Sequence, residues 1–317
     1  DKCECLCRCL DMRQAGTRIE YLPGSGATHL KKDDDNRSRP NSTTPVTSRQ
    51  SSPRNLSAIA KILVAFNRRD VRPFRNQFLR TLRASGNRQE VIVVGYGLRP
   101  GEIRMLSGLP GVTVVRKTSN EHSPAARRLR EFGDVVAQLP AQTPVAWWDA
   151  ADVLFQGRLD PLWQLTQDYP NQLLAVREPT GYPHNPAIGD WTRNILDPQK
   201  RERVFTLLAS NPYLNGGFGA GTASALLHYF RATDGSLRSS DLLGATDGSD
   251  QTAMNLYCHR DSSRWQEVAA TWNFCVHDRP ARSVRISRNG HVSCDAAGPI
   301  CAVHGNAKSL RKLALRP

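Results

Sequence analysis

The order of apolar runs predicts an α/β fold with a mostly parallel sheet flanked by helices. Short runs rich in Val and Ile recur at 58–66, 91–95 and 112–115, and a longer amphipathic stretch separates the first two. Strand, helix, strand is the order that crossover connections require, and crossovers make parallel pairs. A fourth run, Pro144-Val145-Ala146-Trp147-Trp148, is wholly apolar and ends in two carboxylates, Asp149 and Asp152. It reads as a buried strand delivering acids to one edge of the sheet.

Taken in order, residues 1–57 carry little sustained apolar periodicity. They contain Cys3, Cys5, Cys7 and Cys9 at alternate positions, the charged run 31–40, and a Ser/Thr/Pro-rich stretch to Pro53. Such a segment buries too little apolar surface to offset chain entropy, so a disordered leader is expected there, with the folded domain over 58–317. Alternate cysteines are not the C-x-x-C spacing of a zinc knuckle. The later Cys258, Cys275, Cys294 and Cys301 fit either two disulfides or small buried hydrophobes.

The first strand is expected over Ala58 to Phe66. A helix carrying Phe74, Phe78, Leu79 and Leu82 follows, and then the second and third strands. Ser123-Pro124 has the pattern of a cap and first turn, with Leu129, Phe132, Val136 and Leu139 on one face of the helix it opens. A helix around Leu162-Trp163 and a strand at 173–176 come next, followed by a Pro/Gly-rich loop with Tyr182, His184 and Trp191. Such loops line pocket mouths. In 213–221 four glycines surround Phe218; by themselves they indicate a strand-turn-helix corner, or backbone close to a ligand.

Lys and Arg number 43 against 29 Asp and Glu, a formal net charge of +14, which favours anionic partners. The basic residues are scattered and no nucleic-acid motif accompanies them, so nucleic acid is not the expected partner. No run approaches the ~20 apolar residues of a membrane span. The chain opens on Asp1 with no secretory pattern. The expected compartment is the secretory lumen if residues precede Asp1, and the cytoplasm otherwise. Oligomeric state is not legible.

Two carboxylates at the end of a buried strand need a counter-charge. A hard divalent cation shared by Asp149 and Asp152 would supply it and would hold the phosphates of a nucleotide at the carboxyl edge of the sheet. The same spacing also arises where a strand runs into a loop and one acid caps the next helix. His304, after the apolar run 300–303, is a candidate third ligand, and Asp250 is a candidate helix cap.

In their order, the segments 148–155, 213–219, Asp250-Gln251 and 303–306 resemble the glycosyltransferase domain of the procollagen lysyl hydroxylase and glucosyltransferase family, in the GT-A class. The resemblance runs from about Ile62 to Lys308. It implies a UDP-sugar donor, a protein or glycan acceptor, and Mn²⁺ held by Asp149, Asp152 and His304. It further implies that Asn215 walls the sugar, while Asp247 and Asp250 face donor and acceptor. Ala65, Phe66, Trp148, Ala151, Gly216, Gly217, Gly305 and Lys308 form the implied nucleotide-binding set, with Arg127 or Arg128 adding positive charge. Two departures stand out: Ala151 replaces the family's stacking aromatic, and the segment from His304 to Lys308 is shortened. A GT-A fold that binds nucleotide or glycan without turnover is the alternative.

Overall fold

Period-two alternation places the odd and even residues of each strand on opposite faces, and both faces of this sheet are covered. Ile62, Val64 and Phe66 of β1 (Lys61–Asn67) point to one core and Leu63 to the other. The computed structural model describes residues 56–118, 124–181, 184, 192, 195, 197–238, 249–277, 279, 283–295 and 298–305. The leader to residue 55, the cysteines within it, Ser123, Tyr182, Trp191, Asp247 and Lys308 therefore lie outside the described residues.

A helical run over 71–84 (α1) links β1 to β2 (Glu90–Tyr96), and α2 (Pro100–Ser107) links β2 to β3 (Val112–Lys117). Glu102 caps α2 by accepting the Arg99 backbone N–H at 2.7 Å. Next come α3 (Pro124–Val136), β4 (Pro144–Trp148), β5 (Val153–Phe155), α4 (Asp160–Asp168) and β6 (Leu173–Ala175). They are followed by α5 (Pro198–Ala209), β7 (Phe218–Thr222), α6 (Ala223–Arg238), α7 (Ser249–Arg260) and β8 (Trp265–Glu267). The last strands are β9 (Phe274–Cys275), β10 (Arg285–Ile286), β11 (Val292–Ser293) and β12 (Ala302–His304).

The main sheet has the order β3-β2-β1-β4-β7-β6-β8. Every pair in it is parallel except the two made by β7, which runs against β4 and β6. One face packs on α1, α2 and α4 through Phe74, Phe78, Leu106, Leu162 and Trp163; the other packs on α3, α6 and α7 through Phe132, Phe230 and Met254. Each such fully buried side chain contributes about 1.5–3 kcal/mol. Where β4 meets β7, Gly219 lies under the Trp147 ring, and a Cβ there would stand 2.1 Å from it.

A smaller sheet, β5-β12-β9, abuts the end of β4. The π-helical turn Phe74–Leu79 within α1 sets Phe78 edge-on against Phe155, with ring centres 4.9 Å apart. Thr81 Oγ1 accepts the Phe155 N–H at 3.0 Å. The strand after Asp152 is thereby fixed to the main body.

Two sequence expectations need correction. Residues 56–59 form a helical turn closed by the Ala60 N–H on the Leu56 carbonyl, and the strand starts at Lys61, because Ile59 faces outward while Ile62 to Val64 are buried. The glycine-rich stretch is no mere corner: its second half is β7, in the middle of the sheet. Cys258, Cys275 and Cys294 are free and buried, and Cys301 is free and half-buried, so the small-hydrophobe alternative holds for these four.

Candidate active site

β4 ends at Trp148, and its ladder continues one step as the Asp149 N–H donates to the Gly217 carbonyl at 3.0 Å. Four residues later, at Val153, β5 begins, and the antiparallel β12 pairs His304 with Val153. Strand order thus carries a histidine from a late segment to the side of two early acids. His304 Nε2 stands 3.5 Å from both Asp149 Oδ2 and Asp152 Oδ1. Potential ligand atoms of the three residues lie within 4.8 Å of one another. Two carboxylates and an imidazole could together hold a divalent metal ion.

The carboxylates are partly open, with side chains 35 % and 34 % exposed, while His304 is 2 % exposed. Burial lowers the affinity of His304 for a proton, but Asp152 and then Asp149 outweigh it, and the imidazole is held well above its ordinary pKa. Burial would raise Asp149; Arg128, followed by His304, overcomes it and holds the carboxyl well below the usual range. On its other side, His304 Nδ1 lies 3.9 Å from Cys275 Sγ.

Gly217 closes the floor. A Cβ at this position would stand 2.5 Å from Asp149 Oδ2 and 2.5 Å from His304 Cε1, so only glycine leaves the acid and the imidazole where they are. Gly216 is restricted in the same way by Gln251, whose Cβ would be 2.8 Å away.

Arg128, projecting from α3, is buried and ties the centre together. Its Nε donates to Asp250 Oδ2 at 2.9 Å, its Nη1 to Asp149 Oδ1 and its Nη2 to the Gly216 carbonyl at 2.9 Å, while Nη2 stands 2.6 Å from Asp250 Oδ2 as an ion pair. Asp250 sits in the first turn of α7, buried, and is not a simple cap. Burial raises its carboxyl, the Arg128 charge partly offsets this, and Asp149 adds to the rise.

Asn215 is deeper still. Its Nδ2 donates to Glu178 Oε1 at 2.6 Å, while its Oδ1 accepts the Gly217 N–H and Asn273 Nδ2, both at 2.9 Å. Gln251 Nε2 reaches the same Glu178 oxygen at 3.3 Å.

The implied nucleotide-binding set divides. Gly216, Gly217 and Gly305 are buried beside the triad, and Ala151 sits half-buried between its two acids. Phe66 and Trp148 instead point into the core: Phe66 packs on Phe74, and Trp148 packs on Phe155 and Phe218 while its Nε1 donates to the Trp272 carbonyl. Neither ring is free to meet a ligand, because alternation along β1 and β4 turns both inward. Ala65 packs half-buried against the opposite core. Arg127 pairs with Glu131 at 3.8 Å, and the Arg128 guanidinium is spent on carboxylates rather than left for phosphate.

Sequence reasoning missed Glu178, Asn273 and Asp70. Asp70 follows β1, and its carboxyl is raised first by burial and then by Asp152. The Arg-Arg-Asp triplet at the carboxyl end of a buried strand was the available signal. Asn273 precedes a two-residue strand and offered none.

Solved structures share this architecture. One is the galactosyltransferase LgtC in complex with donor and acceptor sugar analogs, 13 % identical, covering 77 % of this chain and 86 % of that one, with a TM-score of 0.49. Another is an active-site mutant of LgtC, 12 % identical, covering 80 % and 95 %, with a TM-score of 0.51. The fold is GT-A. At such identities the likeness extends to the fold and not to substrates. No family model and no curated protein matches the sequence. Among the described residues, no helix of the GT-A domain is long and apolar enough to cross a membrane.

Proposed function

We propose that this chain is a metal-dependent glycosyltransferase that moves a hexose from a UDP-sugar to a hydroxyl on a protein or glycan acceptor. The observation that carries this reading is the meeting of Asp149, Asp152 and His304 at the carboxyl edge of the sheet, over a glycine that leaves no room for a Cβ. Open α/β sheets bind ligands at that edge. Asp149, Asp152 and His304 would hold Mn²⁺, and a bound divalent ion supplies charge stabilisation for a departing diphosphate. The LgtC active-site mutant shares this fold, and LgtC is a galactosyltransferase, which supports sugar transfer as the chemistry of this chain. The motif order resembling the procollagen lysyl hydroxylase and glucosyltransferase family points to a UDP-hexose and to hydroxylysine-like or glycan acceptors.

Within this reading the chain's own residues have distinct tasks. Arg128 fixes the two acids, Asp149 toward the diphosphate and Asp250 toward the sugar. Gly217 lets the donor approach the backbone. Buried Asp250 is the carboxylate placed to meet a sugar or acceptor hydroxyl.

UDP release from UDP-glucose and UDP-galactose, measured with and without Mn²⁺ and in Asp152→Asn, tests the proposal. Release that disappears on chelation and in the variant is expected. Metal-dependent UDP binding with no release from any donor across an acceptor panel would leave a binding module instead, a reading that Ala151 favours because a stacking aromatic is missing there.

A further inference from the structure

We infer that Glu178 is a positioning residue that fixes the polarity of two amide side chains at the centre of the site. It lies just beyond β6, is buried, and its backbone N–H donates to the Tyr213 carbonyl at 2.7 Å. Among the described residues no lysine, arginine or histidine pairs with it. A buried carboxylate without a cation is costly, and it persists only where strong donors converge on it.

Two donors do converge on it. Asn215 Nδ2 at 2.6 Å and Gln251 Nε2 at 3.3 Å share the single oxygen Oε1. Oε1 is the acceptor for both, so it selects one of the two faces that each amide could present. The NH₂ groups must turn toward Glu178 and the carbonyl oxygens away from it. For Asn215 the consequence is visible: its Oδ1 is delivered to the Gly217 N–H at 2.9 Å and to Asn273 Nδ2 at 2.9 Å. Gly217 is the residue packed against Asp149 and His304. For Gln251 the carbonyl is turned off Glu178, and its Cα and Cβ rest on Gly216.

Glu178 therefore joins the loop before β7 to the first turn of α7, where Asp250 sits. Asn255 reinforces the junction, accepting the Leu214 N–H at 2.8 Å and donating to the Leu214 carbonyl at 3.0 Å. The consequence for turnover rests on the transferase reading above; the amide orientation does not.

Glu178→Gln can keep a carbonyl oxygen where Oε1 stands and so retain both bonds without the charge, whereas Glu178→Ala removes the acceptor. Two measurements decide the matter. In ¹⁵N-labelled protein, the side-chain NH₂ signals of Asn215 and Gln251, assigned through Asn215→Asp and Gln251→Glu, should exchange slowly with water. They should stay slow in Glu178→Gln and speed up at least ~10-fold in Glu178→Ala. UDP release should fall at least ~10-fold in Glu178→Ala and stay within ~3-fold in Glu178→Gln, with Mn²⁺ affinity kept in both.

Unchanged exchange in Glu178→Ala would overturn the inference, as would a Glu178→Gln protein that folds and binds Mn²⁺ yet loses UDP release, because charge would then be the requirement. If Glu178→Ala does not fold, the Glu178→Gln arm still decides. A wild-type protein that releases no UDP sinks the transferase reading alone, since exchange is read without turnover.

Discussion

Gly305 donates its backbone N–H to the Asp152 carbonyl oxygen across 2.7 Å. This bond, with the His304–Val153 pairing beside it, sets the imidazole against the two acids. The three proposed ligands thus depend on strand register as much as on side-chain identity.

Removing one ligand should abolish divalent-ion binding without unfolding the domain. Asp152→Asn and His304→Ala are expected to weaken Mn²⁺ by more than the ~10–100-fold typical of outer-shell partners. Titration calorimetry or Mn²⁺ EPR checks this, with thermal melting as the control for folding. Retained affinity in both variants would remove the proposed centre.

Gly217→Ala should act through space alone. The added methyl meets Asp149 Oδ2 and His304 Cε1, so the site must open or the backbone must shift. A cost of about 1–3 kcal/mol is expected for such overpacking. Urea unfolding gives the stability, and the same Mn²⁺ titration should show lost affinity.

Arg128→Met is expected to destabilise by about 3–5 kcal/mol, because it leaves the buried Asp250 and the neighbouring Asp149 without their shared guanidinium. Adding Mn²⁺ should recover part of this by supplying charge to Asp149. A second change, Asp250→Asn in the Arg128→Met background, should also restore stability. Chemical denaturation of the single and double variants tests the coupling.

His259 gives a pH dependence. Its Nε2 donates to the Pro212 carbonyl at 2.7 Å; burial holds its pKa below the ordinary histidine value, and that bond only partly offsets the fall. The neutral ring is the form the fold prefers. Its stabilising share is full above the unfolded value near ~6.5, declines as pH falls from there to the lowered folded value, and is level beneath it. His259→Gln should flatten melting temperature against pH over that window.

Strand positions were legible because apolar runs such as 91–95 and 144–148 are continuous and bounded, and two-sided burial in a parallel sheet produces that pattern. Asp149, Asp152 and His304 were legible as chemistry, since acids at a buried strand end are costly enough to demand a reason. Their meeting was expected from the order of the motifs and not from any local pattern, because it is decided by a three-residue strand, β12, pairing backwards with β5. The inward turn of Phe66 and Trp148 is set by what they pack on, Phe74 for one ring and Phe155 and Phe218 for the other, which local sequence does not display. Glu178 gave no signal: a lone glutamate after a short strand looks like surface until the partners that surround it are known.

The pairing of β12 with β5 also bears on when the site comes into existence. Asp152 and Gly305 are roughly 150 residues apart in sequence, so the entropy of closing that long loop must be overcome before the contact is made. During synthesis β1 to β4, with Asp149 and Asp152, would emerge before the segment that carries the imidazole. Competence would then arrive in one step, when the segment bearing His304 leaves the ribosome and zips onto a scaffold already built.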